Sequence, residues 1–301
     1  VIQKIRDAQR DSVYGEYLDR ENEMITGTIQ REDKYNVYIN LDKIEGVVPL
    51  KEQVAIEKYI PNERMKFLIK DVKSSSKEPQ IILSRASENL VKRLFELEVP
   101  EINDGTIEIY SIAREAGSRT KIAVFSNDDA IDAVGACIGY KGVRVNSIVD
   151  ELQNEKIDII NYDKDIKVFI SNALSPADIV DVLINEKKKQ SLVVVNDYQL
   201  SLAIGKEGQN ARLAARLTSW KIDIKSKEDF DTMSQEDIDQ ILGLVDDEEE
   251  SSENNEEALA DEDLEEASEE SLANLDEDQI EELSYEDHEL IDQEDLSEDE
   301  K

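Results

Sequence analysis

The sequence predicts a multidomain chain in which a small all-β barrel of OB type precedes two copies of an α+β module and a disordered acidic tail. Three observations carry that expectation. Short strand-like runs separated by turns fill the first third of the chain. A helix, Gly-x-x-Gly, helix, strand order then occurs twice, with first glycines Gly139 and Gly205. The charge, finally, is very unevenly spread. Of 301 residues, the stretch 1–228 holds 34 Lys and Arg against 38 Asp and Glu, whereas 229–301 holds 1 against 34. A segment with that charge density and few large apolar residues cannot bury enough surface to offset its ordering entropy, so 229–301 reads as disordered apart from transient helix.

The barrel is expected from five runs between Glu23 and Arg85: MITGTIQ, YNVYINL, GVVPL, MKFLIKDV and QIILS. Their length and spacing suit a five-stranded Greek-key barrel. ASENLVKRLFELEVPEI follows, with Leu90, Leu94, Leu97 and Val99 apolar, and reads as a connecting helix stopped before Pro100. TIEIYSIA and TKIAVFS alternate as a hairpin around REAGSR. DAIDAVGACIG and VRVNSIVDELQ read as helices and KIDIINY and KVFIS as strands. Pro176 is placed to open ADIVDVLINEKKK as a helix from its first turn, so that Lys187–Lys189 complement a helix C-terminus. SLVVV is a strand, and two helices again flank a glycine loop before KIDIKS.

Each glycine loop is a candidate anion site. Glycine admits positive φ and close backbone approach, and the following helix presents free N–H groups and the positive end of its dipole. A single Gly-x-x-Gly is equally a helix C-cap with a tight turn. Found twice in matched context, with Lys-Ile-Asp-Ile at 156–159 and 221–224, it matches the KH module, whose loop clamps about four nucleotides of single-stranded nucleic acid by their backbone. The first site is then Gly139, Tyr140, Lys141, Gly142 and Arg144, and the second is Gly205, Lys206, Gly208, Gln209, Asn210 and Arg212. Their cations and amides are expected to meet phosphates, with Glu207 opposing them at the second loop. In the barrel, Tyr35 and Tyr38 beside Arg31 and Lys34 form a candidate stacking surface. Strand alternation is expected to send one of the two tyrosines into the core. Trp220 is expected to pack.

Catalytic signatures are missing from the sequence. There is no Walker-type or Gly-x-Gly-x-x-Gly phosphate loop and no Cys/His metal spacing, and the single histidine, His288, lies in the acidic tail. Binding without a cofactor is the expectation. The single cysteine, Cys137, sits in an apolar run and is expected to be a buried thiol. No apolar run approaches the roughly 18 residues of a membrane span, and a soluble cytoplasmic protein is expected.

Three longer stretches, 94–126 (LFELEVPEINDGTIEIYSIAREAGSRTKIAVFS), 132–160 (DAVGACIGYKGVRVNSIVDELQNEKIDII) and 202–224 (LAIGKEGQNARLAARLTSWKIDI), make residues 1–228 resemble the NusA family of bacterial transcription termination/antitermination factors. The resemblance implies an S1 domain at 22–86, a connecting helix at 87–100, a first KH domain at 101–175 and a second at 176–228. Residues 1–21 would then be the end of an otherwise missing N-terminal domain that grips RNA polymerase. It further implies contact with nascent single-stranded RNA and RNA polymerase, action alongside other elongation and antitermination factors, and control of pausing, termination and antitermination. Pro49 stands where many S1 domains carry histidine, a departure that weakens the implied barrel site. The alternative is an S1/KH RNA-binding protein of ribosome assembly or RNA decay.

Overall fold

The computed structural model describes residues 12–74 and 80–244; the rest of the acidic segment, 245–301, lies outside them, as do 1–11 and 75–79. Helical residues 12–18 (α1) lead into five strands: β1 (Met24–Glu32), β2 (Asn36–Asn40), β3 (Glu45–Pro49), β4 (Arg64–Lys73) and β5 (Gln80–Ser84). They close into a barrel in the order β1-β2-β3-β5-β4, antiparallel except where β3 runs parallel to β5. The period-2 alternation decides the inside: Val37 and Ile39 of β2, Phe67 and Ile69 of β4, and Ile81 and Leu83 of β5 are all fully buried. Tyr17 of α1 packs into the same core.

Ser87 caps α2 (Glu88–Glu98) by accepting a hydrogen bond from the Asn89 N–H. The helix ends ahead of Pro100, as the sequence requires, and Pro100 itself opens the short α3 (Pro100–Asn103). A hairpin of β6 (Ile107–Glu115) and β7 (Arg119–Ser126) follows. Then come α4 (Ala133–Ile138), α5 (Val143–Glu151) and β8 (Lys156–Asn161), which pairs parallel to β7. The two faces of this sheet are covered differently. Ile107, Ile122 and Val124 pack under α2, α4 and α5 with Phe95, Cys137 and Ile148. On the other face the small Ala113 and Ala123 let a second set of helices approach closely.

Those helices belong to the second half of the chain and correct two expectations. KVFIS is not a strand: it lies in α6 (Ile166–Ala173), capped by Asp165, which accepts from the Lys167 N–H. Phe169, Ile170 and Ala173 are buried together with partly buried Ile166, a 3.6-residue spacing that a five-residue window cannot separate from a strand run. ADIVDVLIN is not a helix: it supplies β9 (Ile179–Asn185), paired antiparallel with β10 (Gln190–Val195). The β-branched Ile179, Val180, Val182 and Ile184 suit a pleated edge. Lys187–Lys189 therefore occupy the β9–β10 turn, where the Asn185 side chain accepts from the Lys187 N–H, and the helix-dipole role falls away.

After β10 come α7 (Asp197–Ile204), α8 (Gln209–Thr218) and β11 (Lys221–Ser226), the last parallel to β10. Apart from the four-residue α3, the order helix, β, β, α, α, β thus runs from α2 to β8 and again from α6 to β11. The expected division at 175/176 cuts α6 away from the sheet it covers. Phe169, Leu213 and Leu217 of α6 and α8 share one core with Ala123 of the first sheet and Val193 of the second. Residues 229–244 also depart from the disordered tail expected from 229 onward. Two capped helices, α9 (Lys227–Thr232) and α10 (Gln235–Ile241), continue from β11, the second with a Ser234–Asp237 capping box. The Asn185 amide donates to the Leu242 carbonyl at 2.8 Å, fixing this end against β9.

The barrel is held to the first module by buried charge. The Arg85 guanidinium, fully buried, donates to Glu57 (Nε–Oε2 2.8 Å), to the Glu151 carboxylate (3.2 Å) and to the Glu151 carbonyl (2.8 Å). Arg114 forms a two-pronged pair with Glu155 (2.9 and 2.8 Å) and donates to the Arg85 and Ser87 carbonyls. Burial opposes ionisation of Glu155, but Arg114, Thr120 and the Gly117 N–H outweigh it and hold its carboxyl below the ordinary carboxylate range. Glu151 ends α5, so the helix that begins at the first glycine loop is anchored at its far end to the barrel.

Candidate nucleic-acid interface

The two glycine loops have the same backbone. Gly139 sits at φ 73°, ψ 173° and Gly205 at φ 77°, ψ 173°, a region essentially reserved for glycine. The third loop position is left-handed in both, Lys141 at φ 52° and Glu207 at φ 53°. Each loop then enters its helix through a left-handed glycine, Gly142 or Gly208, that offers no side-chain cap. The first turn of α5 and of α8 is accordingly without a side-chain acceptor, the arrangement that suits an external anion.

Exposure and side-chain partners together sort the expected site residues. Tyr140 is 81% exposed and the Lys141 ammonium lies 5.3 Å from its ring centroid. Lys206 and Glu207 are both exposed, with Nζ and Oε1 3.8 Å apart. Just before each loop, Ile138 and Ile204 are partly open to solvent at equivalent positions. Tyr198, on α7, is 77% exposed. These three were not anticipated from the sequence, where an isoleucine or tyrosine on a short helix looks like core.

Four residues expected at phosphates are instead engaged within the chain. Arg144 folds back on its own loop, donating to the Ala136 carbonyl (2.6 Å) and to Glu101 (2.9 Å). Asn210 occupies the equivalent place in the second copy and is buried, its amide donating to the carbonyls of Leu174 (2.9 Å) and Ala203 (3.0 Å). Gln209 donates to Glu115 (2.8 Å) and to the Ser118 hydroxyl (2.7 Å), both on the β6–β7 hairpin of the first module. Arg212 pairs with Glu115 through Nε at 2.6 Å and donates to the Glu207 carbonyl at 3.0 Å. The hydrogen bond from Arg212, with that from Gln209, holds the Glu115 carboxyl below its ordinary range despite some burial. The side chains beside the glycines thus build the loops and leave the backbone with Tyr140, Lys141 and Lys206 to face outward.

In the barrel neither tyrosine is core. Val37 and Ile39 take the inward positions of β2, which leaves Tyr38 half-buried on the outer surface, with the Arg31 guanidinium 3.7 Å from its ring centroid. Arg31 is held there by Glu45 at 2.9 Å. Tyr35 precedes the strand in a turn made by Asp33, whose carboxylate accepts from the Tyr35 and Asn36 N–H groups, and it is 58% exposed. Lys34 lies 5.3 Å from the Tyr35 ring centroid. Both tyrosines can therefore reach solvent beside a cation.

Of the remaining sequence expectations, Cys137 is fully buried and its thiol is pushed up to about 12, first by desolvation. Trp220 packs against the shared core. Among the described residues no group of three or more His, Cys, Asp or Glu could hold a metal, and no helix is long and apolar enough to cross a membrane.

Comparison with known proteins matches this geometry segment by segment. Residues 18–85 match the model for the S1 RNA binding domain, 85–162 that for the NusA-like first KH domain, and 166–232 that for the NusA-like second KH domain. Proteins named transcription termination/antitermination protein NusA are similar over most of the chain. The one from Bacillus subtilis is 54% identical over 229 residues, covering 76% of this chain and 62% of its own length. That from Halalkalibacterium halodurans is 51% identical over 253 residues, 84% of this chain and 64% of the relative. That from Mycobacterium bovis is 50% identical over 234 residues, 75% and 67%. The chain belongs to the NusA family. It spans about two thirds of the length of these NusA relatives, and the S1 and both KH models fall on the barrel and on the two repeated modules.

Proposed function

We propose that this chain is the RNA-contacting part of a transcription elongation factor, which holds nascent single-stranded RNA at RNA polymerase and thereby modulates pausing, termination and antitermination. The observation that carries the reading is the pair of uncapped Gly-x-x-Gly loops with one backbone geometry, set in the NusA-family frame. Backbone N–H groups and the helix dipoles of α5 and α8 take phosphates without reading bases, and Lys141 and Lys206 add charge that steers the strand. Tyr140 offers a ring to an unstacked base, as do Tyr35 and Tyr38 on the barrel beside Arg31. No step here breaks or forms a covalent bond; the contribution is binding alone.

Affinity should be modest and should fall as salt rises, because each phosphate neutralised by a lysine releases counterions. Crosslinking of the full-length factor to a paused elongation complex tests the reading. The expected result is transcript crosslinks at 139–142 and 205–208 and a change in pause lifetime. Crosslinks confined to polymerase, with none from the transcript to either loop, would overturn it.

A further inference from the structure

A second place in the molecule has the chemistry to hold a base, away from both glycine loops. Tyr110, in the β6 bulge, and Tyr162, just beyond β8, stack with ring centroids 3.8 Å apart and planes 17° from parallel. Phe169 supports both rings edge-on, at 5.7 and 5.1 Å. Tyr110 is nevertheless 52% exposed, so part of a braced aromatic ring is left open. It lines a cleft of 630 Å³ between the first sheet, the end of α8 and the β9–β10 turn, a volume in the range of small-ligand sites.

The rim of the cleft says what would fit. Lys164 and Lys189 line it, and so do Asp163 and Glu186, so its formal charge balances. A bare anion gains little from such a rim. The hydroxyls of Ser111 and Thr218 already donate to the Leu217 and Ala214 carbonyls, which leaves stacking as the main attraction. Trp220 forms part of the wall. Thr218 ends the ten-residue helix that starts at the second glycine loop, so the cleft lies about 15 Å from that loop.

We propose that this cleft binds a nucleobase, stacked on Tyr110 with its phosphate at Lys164 or Lys189. The base belongs either to a free nucleotide or to single-stranded RNA running on from the second loop; only the latter source rests on the RNA-binding reading above. Because stacking dominates over charge, binding here depends less on salt than binding at the loops.

Trp220 is the single tryptophan of the chain and reports on the cleft directly. The whole chain is titrated with AMP and, separately, with a short single-stranded RNA while Trp220 emission is followed at low and raised salt, and RNA retention on a filter is measured in parallel. Saturable quenching is expected with both ligands and should persist at raised salt. Tyr110→Leu should weaken it about tenfold while the glycine loops still retain RNA on the filter, and Lys164→Glu, which leaves the stack intact, should weaken it by a smaller factor. Quenching stronger with RNA than with AMP identifies the continuing strand as the source; equal quenching identifies the free nucleotide. Emission that stays flat with both ligands overturns the proposal, as does quenching unaltered in both variants. Filter retention of RNA in that case shows that the loop reading survives it, and loss of retention shows that both fail.

Discussion

The two glycine loops share a backbone and differ in everything that holds it. At the first, a partly exposed arginine, Arg144, fills the space beside Gly139 and pairs with Glu101 of its own module. At the second, a buried amide, Asn210, fills the same space, and the head of α8 is tied through Gln209 and Arg212 to the hairpin of the neighbouring module. The outward residues differ as well, Tyr140 and Lys141 against Lys206 and Glu207. One loop conformation can thus be fixed by a solvent-screened ion pair or by buried hydrogen bonds. The second solution leaves less freedom to the loop and less positive charge for a phosphate.

The largest effect should come from filling the space itself. A Cβ on Gly205 would lie 2.8 Å from Asn210 Cβ and 2.9 Å from its backbone nitrogen, whereas on Gly139 it would meet only the Arg144 side chain, at 2.8 Å from Cγ. Both substitutions meet a glycine-only backbone, a strain of about 1–3 kcal/mol. Only Gly205→Ala must also move backbone. Thermal unfolding should show a distinctly lower Tm for Gly205→Ala than for Gly139→Ala; equal losses would mean that the two loops are equally tolerant and the contrast is wrong.

Next in size is removal of the fillers. Asn210→Ala leaves the Leu174 and Ala203 carbonyls without that donor in a buried place, which costs about 1–3 kcal/mol. Arg144→Ala removes an ion pair with both partners about a third exposed, worth about 0–1 kcal/mol, plus its bond to Ala136. Urea unfolding should rank Asn210→Ala as the more damaging. For RNA the ranking should reverse in favour of the first loop. Lys141→Asp should weaken binding several-fold at low salt and reduce the salt slope by about 1, while Glu207→Lys should strengthen binding and raise the slope by about 1. Filter binding across a salt series reads both, and a Glu207→Lys variant that binds no better would show that the second loop meets no phosphate.

Much of this architecture was legible before any coordinates. The five barrel strands, the β6–β7 hairpin and the Pro100 stop follow from alternation and from proline's missing N–H, and the glycine loops follow from repetition. α6 and β9 were not legible, because KVFIS and DIVDVLI are short β-branched runs and only their partners decide between helix and strand. The four loop-building side chains were hidden for a different reason. Sequence gives the charge of Arg144 and Arg212 but not that Glu101 and Glu115, 43 and 97 residues away, would meet them. The same blindness applied to Tyr38, where a cation from β1 stacks on the outer face and the strand's apolar neighbours take the inside.

The smallest expected effect is also the one that isolates the tie between modules. Glu115 is held below its ordinary pKa first by Arg212, so its contribution is fully present above about 4.5, the unfolded carboxylate value, and fades as pH falls through the lower folded value. Glu155 is depressed in the same direction by Arg114 and the bonds around it, and acid therefore loosens both contacts. The two can be separated by substitution. Glu115→Gln keeps a side-chain acceptor for Gln209 but removes the charge facing Arg212, and since Arg212 is more than a third exposed the loss at neutral pH should be under about 1 kcal/mol. The variant should show a shallower loss of stability between pH 5 and 3, about these carboxylate values, with the remaining slope belonging to the buried carboxylates. Hydrogen exchange at the second turn of α8, whose amides are bonded back to the first, should accelerate in Glu115→Gln while the second turn of α5 stays as it was. Equal exchange at both loops would show that the neighbouring module does not steady the second clamp.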